Sequence, residues 1–167
     1  MIHKGLDLLR RLAEIPTVQG MKYTAMNHYE LGRFKRHMGS DFMVYSGCDE
    51  MILSGLISGA DGAIGSTYNV FPDIYRKAVD SLYGGNAAKA TEYLLCANDI
   101  LEIMFRYRLM PAMRAALRYM GVDVGIDRSP FPALSAEAEA SLKADLRTYF
   151  ENHPEGCFSL LAKAVLK

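Results

Sequence analysis

Residues 17–24 read TVQGMKYT, a short, partly β-branched run that begins just after Pro16 and carries a lysine near its middle. Valine and threonine suit a pleated, half-buried surface. Pro16 ends the mostly helical spacing of Leu6, Leu8, Leu9 and Leu12 in residues 3–13. The stretch 17–24 is therefore read as a strand that follows a helix. The alternation continues downstream. Residues 27–38 are helical in pattern, and 42–46 (FMVYS) read as a second strand. Residues 50–58 read as a short helix with Asp49 placed to cap it. Residues 63–67 (AIGST) read as a third strand bracketed by glycines. About 72–82 form a helix with Pro72 in its first turn and Gly84-Gly85 stopping it. Strand–helix units of this kind argue for an α/β fold with a parallel sheet and helices packed outside. The mostly apolar strands agree, because parallel strands are buried on both faces.

The second half changes character. Residues 86–108 make one long amphipathic pattern, and a shorter helix is read from 111 to 120. A loop over 121–134 holds Pro130 and Pro132. Ser135 can cap a helix over about 136–150, with Glu137 and Glu139 in its acidic first turn. Residues 151–167 contain a break from Pro154 to Gly156 and a final apolar stretch. The expected organisation is a βα region over 1–83 and a helical region over 84–167. Three parallel strands alone leave two unpaired sheet edges and an uncovered apolar face.

Bulk properties exclude several classes of function. The 167 residues are 50% hydrophobic, enough for a proper core. Nineteen basic residues balance nineteen acidic ones, so no strong field draws nucleic acid or an anionic membrane, and neither is expected as a partner. Cys48, Cys96 and Cys157 are odd in number and far apart, which argues against a disulfide framework and for a reducing cytoplasm. Arg10, Arg11 and Glu14 interrupt the apolar start, so no signal peptide is read there. His3, His28, His37 and His153 lack HExxH-type spacing, and no metal site is expected.

Three places carry candidate chemistry. Strand side chains alternate, so Val18, Gly20, Lys22 and Thr24 are read on one face and Met21 and Tyr23 on the other. A lysine buried mid-strand is disfavoured as an ammonium, and a neutral amine can attack a ketone to form an imine. The alternative is a strand-end lysine that reaches solvent. Gly47-Cys48-Asp49-Glu50 follows the second strand, at the carboxyl edge where parallel α/β folds bind ligands. Two adjacent carboxylates can accept hydrogen bonds from a polyol; the alternative there is helix capping by Asp49 and a favourable dipole contact from Glu50. Gly65, Ser66 and Thr67 end the third strand with flexible backbone and two hydroxyls, lacking the GK[ST] of a phosphate loop. On this pattern alone they read as a tight strand-to-helix turn.

Together and in this order the motifs are specific. The run VQGMKYTAMN resembles the Schiff-base lysine strand of the dihydrodipicolinate synthase and N-acetylneuraminate lyase superfamily. The run YSGCDEMILSGLISGADGAIGSTYN resembles the next two strands and loops of its sialic acid lyase branch, whose GST ending differs from the synthase pattern. Arg128-Ser129-Pro130-Phe131 resembles the R-x-P-F of the family's C-terminal helical region. The resemblance, from about residue 10 to about 150, implies the last three βα units of a TIM (β/α)8 barrel followed by a C-terminal helical extension. It implies a Schiff-base aldolase that reversibly cleaves N-acetylneuraminate to N-acetylmannosamine and pyruvate. Lys22 would form a covalent imine with pyruvate or the sialic acid keto group, with no cofactor. Thr24 would lie beside it. Gly47, Asp49, Glu50 and Ser66 would bind the hydroxyl-bearing tail, and Gly65 would permit close approach. Cys48 falls at a variable position and is assigned nothing. The family's carboxylate-binding loop and proton-shuttling tyrosine would lie outside these residues. The expectation is thus a truncated lyase or one half of a split one, its partner supplying strands one to five, and a homo-oligomer, often tetrameric in the family. Another pyruvate-dependent aldolase or synthase of the superfamily, and a non-catalytic remnant, are the alternatives.

Overall fold

The computed structural model describes residues 2–167, with the side chains from Lys4 onward. Contacts divide the chain into two compact units, Met1–Ser66 and Thr67–Lys167.

In the first unit the expected alternation appears. Helix α1 (Ile2–Ala13) leads to β1 (Gly20–Tyr23), α2 (His28–Met38) to β2 (Met43–Ser46), and α3 (Ile52–Ile57) to β3 (Gly62–Ala63). The strands form one parallel sheet in the order β1-β2-β3. Register sets Met21 beside Val44, Lys22 beside Tyr45 and Tyr23 beside Ser46. The helix-facing side of the sheet closes a core of Leu6, Leu9, Leu31, Phe34, Phe42, Val44 and Ala60, against which Met21 and Tyr23 pack. Asn27 caps α2 by accepting the Glu30 N–H at 3.2 Å. The end of β1 is tied to α2 by the Tyr23 hydroxyl, which donates to Glu30 at 2.8 Å. Burial, then the Glu30 carboxylate, push that phenol up to about 12.

The opposite end of the sheet is fastened by Asp61. Its Oδ2 accepts the Val44 N–H at 2.8 Å, and its Oδ1 pairs with the Lys35 ammonium at 2.8 Å. Burial works against the charge, but the Lys35 bond and the Val44 N–H outweigh it and hold the carboxyl below the ordinary range.

Two strands are shorter than their sequence pattern. β1 begins at Gly20 because the Val18 N–H is taken by the Ile15 carbonyl at 2.9 Å, in a turn that follows α1. Val18 consequently does not share a face with Lys22; it packs against the core with Met21 and Tyr23. β3 ends at Ala63, so Gly65 and Ser66 lie in a loop, and Thr67 opens a 3-10 turn over Thr67–Asn69.

The second unit is helical: α4 (Pro72–Tyr83), α5 (Ala87–Arg106), α6 (Leu109–Tyr119), α7 (Ala136–Asn152) and α8 (Leu160–Val165). Asn86 and Ser135 cap α5 and α7 with their side chains. The buried faces of α5 to α8 contribute Ile100, Met104, Ala112, Ala116, Leu142, Leu146, Leu161 and Val165. The proline-bearing loop before α7 is held from α6 by Arg114, which donates to Asp127 and to the Val124 carbonyl, both at 2.7 Å. Among the described residues no helix is long and apolar enough to cross a membrane.

Candidate active site

Lys22, Thr24, Gly47, Asp49, Glu50, Gly65 and Ser66 all belong to the first unit, and Thr67 is the first residue of the second. β1 presents Lys22 and Gly20 on the face away from the core, beside Met43 and Tyr45 of β2. These side chains and Ile64 line an open hollow of about 330 Å³. Among the described residues of this unit nothing closes that hollow, and Ile64 is 47% exposed.

The expected burial of Lys22 is therefore not met: its side chain is exposed. The period-2 pattern turns the lysine away from the core side of β1, but a three-stranded sheet has no opposing wall. Of the two readings open at the sequence level, this chain realises the solvent-reaching one.

The direction of the side chain is informative all the same. Lys22 lies across Gly47, so that a Cβ added there would sit 2.8 Å from Lys22 Cε and closer still to Thr24 Oγ1. Glycine at position 47 thus makes room for both residues. The next residue, Cys48, is buried at 7% exposure. Burial first, then the charges of Glu50 and Asp49, push its thiol up, while the Lys22 ammonium pulls it the other way. Lys22 and the two carboxylates thus act on the same thiol. Sequence reasoning left Cys48 unassigned, although it is the residue on which these charges act.

Asp49 departs from its expected role. It opens a 3-10 turn, Asp49–Met51, ahead of α3, and neither cap position of these two elements makes a side-chain cap bond. Its carboxylate, buried at 7% exposure, is turned to Gly65 instead. A Cβ on Gly65 would collide with that carboxyl group, its Oδ2 lying 2.7 Å away. Asp49 is thereby set beside the loop that carries Ser66. Lys22, Thr24 and Gly47 form one cluster, and Asp49 and Gly65 a second one; Glu50 follows Asp49 in the 3-10 turn Asp49–Met51. Among the described residues no group of three or more His, Cys, Asp or Glu could hold a metal ion.

N-acetylneuraminate lyase from Lactiplantibacillus plantarum is 34% identical over 146 residues, covering 87% of this chain and 50% of the relative. The solved Proteus mirabilis N-acetylneuraminate lyase matches with a TM-score of 0.80 at 29% identity, over 86% of this chain and 49% of that one. A Ruminococcus gnavus sialic acid aldolase, solved as its catalytic lysine mutant, matches with a TM-score of 0.80 at 26% identity, over 89% of this chain and 50% of that one. The chain thus spans about half the length of the relatives it matches. A family model covers residues 5–149, taking in the Lys22 strand, both following loops and most of the helical half: the chain belongs to the dihydrodipicolinate synthetase family.

Proposed function

We propose that this chain forms part of a Schiff-base carbon–carbon lyase that cleaves N-acetylneuraminate to N-acetylmannosamine and pyruvate, with Lys22 as the imine-forming residue. The observation that carries the reading is the placement of Lys22 and Thr24 over Gly47, two residues before Asp49. On this reading β1 to β3 are the last three strands of an eight-stranded barrel, α4 is the helix of the last βα unit, and the helices from α5 onward are the C-terminal extension. The strands that the relatives' other half would supply, from the same chain or a partner, cover the open sheet face and dry the Lys22 amine. Assembly into a homo-oligomer belongs to the same proposal.

The chemistry then runs as follows. The neutral amine of Lys22 adds to the keto carbon of the open-chain sugar, and water leaves to give a protonated imine. The carbon–carbon bond one position removed breaks; its electron pair passes into the imine, giving an enamine, while the neighbouring hydroxyl loses its proton and becomes the aldehyde of N-acetylmannosamine. Protonation of the enamine and hydrolysis of the imine release pyruvate and restore the amine. No metal or organic cofactor enters. Asp49, Glu50 and Ser66 accept or donate hydrogen bonds to the hydroxyl-bearing tail, and Thr24 lies beside the imine.

Exposure of Lys22 favours a second reading, a sugar- or partner-binding remnant without turnover. Pyruvate with borohydride, followed by peptide mass spectrometry, separates the two. The lyase reading expects a reduced pyruvate adduct on Lys22, absent from Lys22→Arg. An unmodified Lys22 in the folded protein, with and without the complementing barrel strands, defeats it in favour of the remnant. Turnover of other aldehydes with pyruvate in preference to N-acetylmannosamine would instead move the substrate assignment within the superfamily.

A further inference from the structure

Behind the carboxylate loop lies a polar group that neither the imine chemistry nor the sugar contacts use. His28 opens α2, and its ring is buried at 7% exposure. Its Nδ1 lies 2.7 Å from Ser54 Oγ on α3. Ser54 donates its only hydroxyl proton to the Met51 carbonyl, at 3.0 Å. The proton in the His28–Ser54 bond must then come from the ring, so Nδ1–H donates and Ser54 accepts. In the neutral imidazole this tautomer leaves Nε2 as a bare acceptor, and Nε2 is buried without a hydrogen-bond partner.

A matching donor is close by. Ser46 Oγ, fully buried at the end of β2, also lacks a partner. Both side chains border the backbone of Gly55: a Cβ added there would run into Ser46 Oγ and come within 3.7 Å of the His28 ring. Leaving a buried donor and a buried acceptor apart is costly. A small rotation of Ser46, or one bridging water, would join them.

We propose that His28 is a positioning residue for the segment 47–53. Its ring grips Ser54 through Nδ1 at one end of that segment and Ser46 through Nε2 at the other. Gly47, Asp49 and Glu50 lie between these two anchors. Because α2 follows the Lys22 strand after only residues 24–27, the same ring sets the carboxylates relative to the amine. The proposal rests on the reading of Asp49 and Glu50 as binders of the sugar tail. It assigns His28 to tail affinity and not to imine formation.

Two variants and two readouts test it. His28→Leu removes both ring nitrogens; His28→Asn keeps an N–H directed at Ser54. In the turnover-competent protein, alone or with the barrel strands that complete it, His28→Leu raises KM for N-acetylneuraminate about tenfold, the factor that 1.4 kcal/mol represents. Trapping of pyruvate on Lys22 by borohydride stays at the wild-type level, and His28→Asn recovers most of the KM. Amide hydrogen exchange reads the clamp independently of turnover: protection over 47–53 falls in His28→Leu and returns in His28→Asn. An unchanged KM in folded His28→Leu overturns the proposal, as does a parallel loss of pyruvate trapping. If the wild type traps no pyruvate, the lyase reading fails, and the exchange data alone decide whether the clamp exists; unaltered protection in both variants removes it.

Discussion

Gly65→Ala is the sharpest probe of how Asp49 is held. A methyl group at position 65 would fall within the Asp49 carboxyl group, with Oδ2 at 2.7 Å and the other carboxyl atoms nearer. The backbone of Gly65 is not in the left-handed region that the positive-φ glycines of this chain occupy, so alanine adds a steric demand without backbone strain. Asp49 is 7% exposed and cannot swing freely into water. Forcing one extra carbon into a packed site costs about 1–3 kcal/mol. Against this stands a gain of about 0.4–1 kcal/mol from the stiffer unfolded chain. The net expectation is a loss of about 1–2 kcal/mol, or a fall in Tm of roughly 2–8 °C for a chain of this size. The decisive measurement is a double-mutant cycle by urea or thermal melting, with Asp49→Ala as the second arm. Once the carboxylate is gone the methyl has room, so Gly65→Ala in the Asp49→Ala background becomes neutral or slightly stabilising. The two changes then couple by about 1–3 kcal/mol. Additivity within about 0.5 kcal/mol would refute the claim that Asp49 is packed against Gly65.

Gly47→Ala drives a methyl toward Lys22 Cε and Thr24 Oγ1; the flexible lysine gives way, so stability falls by about 1 kcal/mol or less while pyruvate trapping on Lys22 drops at least tenfold. Wild-type trapping in a folded Gly47→Ala protein would dissociate Gly47 from the site. Asp61→Asn keeps an acceptor for the Val44 N–H but loses the charge that Lys35 pairs, and costs about 1–2 kcal/mol at neutral pH. The Asp61 pKa is depressed on folding, so its contribution is complete above the unfolded value of about 4 and fades as pH falls through the folded one. The stability gap between wild type and Asp61→Asn should therefore close only in acid; urea melts showing a gap independent of pH down to about 2 would contradict this.

Much of the first unit is legible because its parallel strands impose period-2 alternation on a buried face. Met21 and Tyr23 pack against the core, while Lys22, between them, faces the other way. Strand ends were less legible, since neighbours in space set them. Val18 is claimed by a turn bond to Ile15, and the run after Ala63 bends where Gly65 meets Asp49. The capping pattern at Asp49 is a local signal, and a contact sixteen positions downstream overrides it. His28 gives no sequence signal at all, because its two hydroxyl neighbours come from β2 and α3.

The same distinction separates what this chain fixes from what it leaves to others. Periodicity decides which side of a strand a lysine faces; it carries no information on whether a second wall stands opposite. The Asp49–Gly65 contact and the Lys22–Gly47 contact are both closed within residues 22–65, by packing that three strands and their helices already supply. Dryness at Lys22 needs atoms on the far side of the sheet. If the proposed lyase reading holds, geometry and reactivity are encoded in different parts of the barrel: this chain positions the amine against the tail-binding carboxylates, and strands outside it shift the amine toward its neutral form. Adding those strands should then raise the rate of imine trapping at Lys22 while leaving the amide protection of 47–53 as it is.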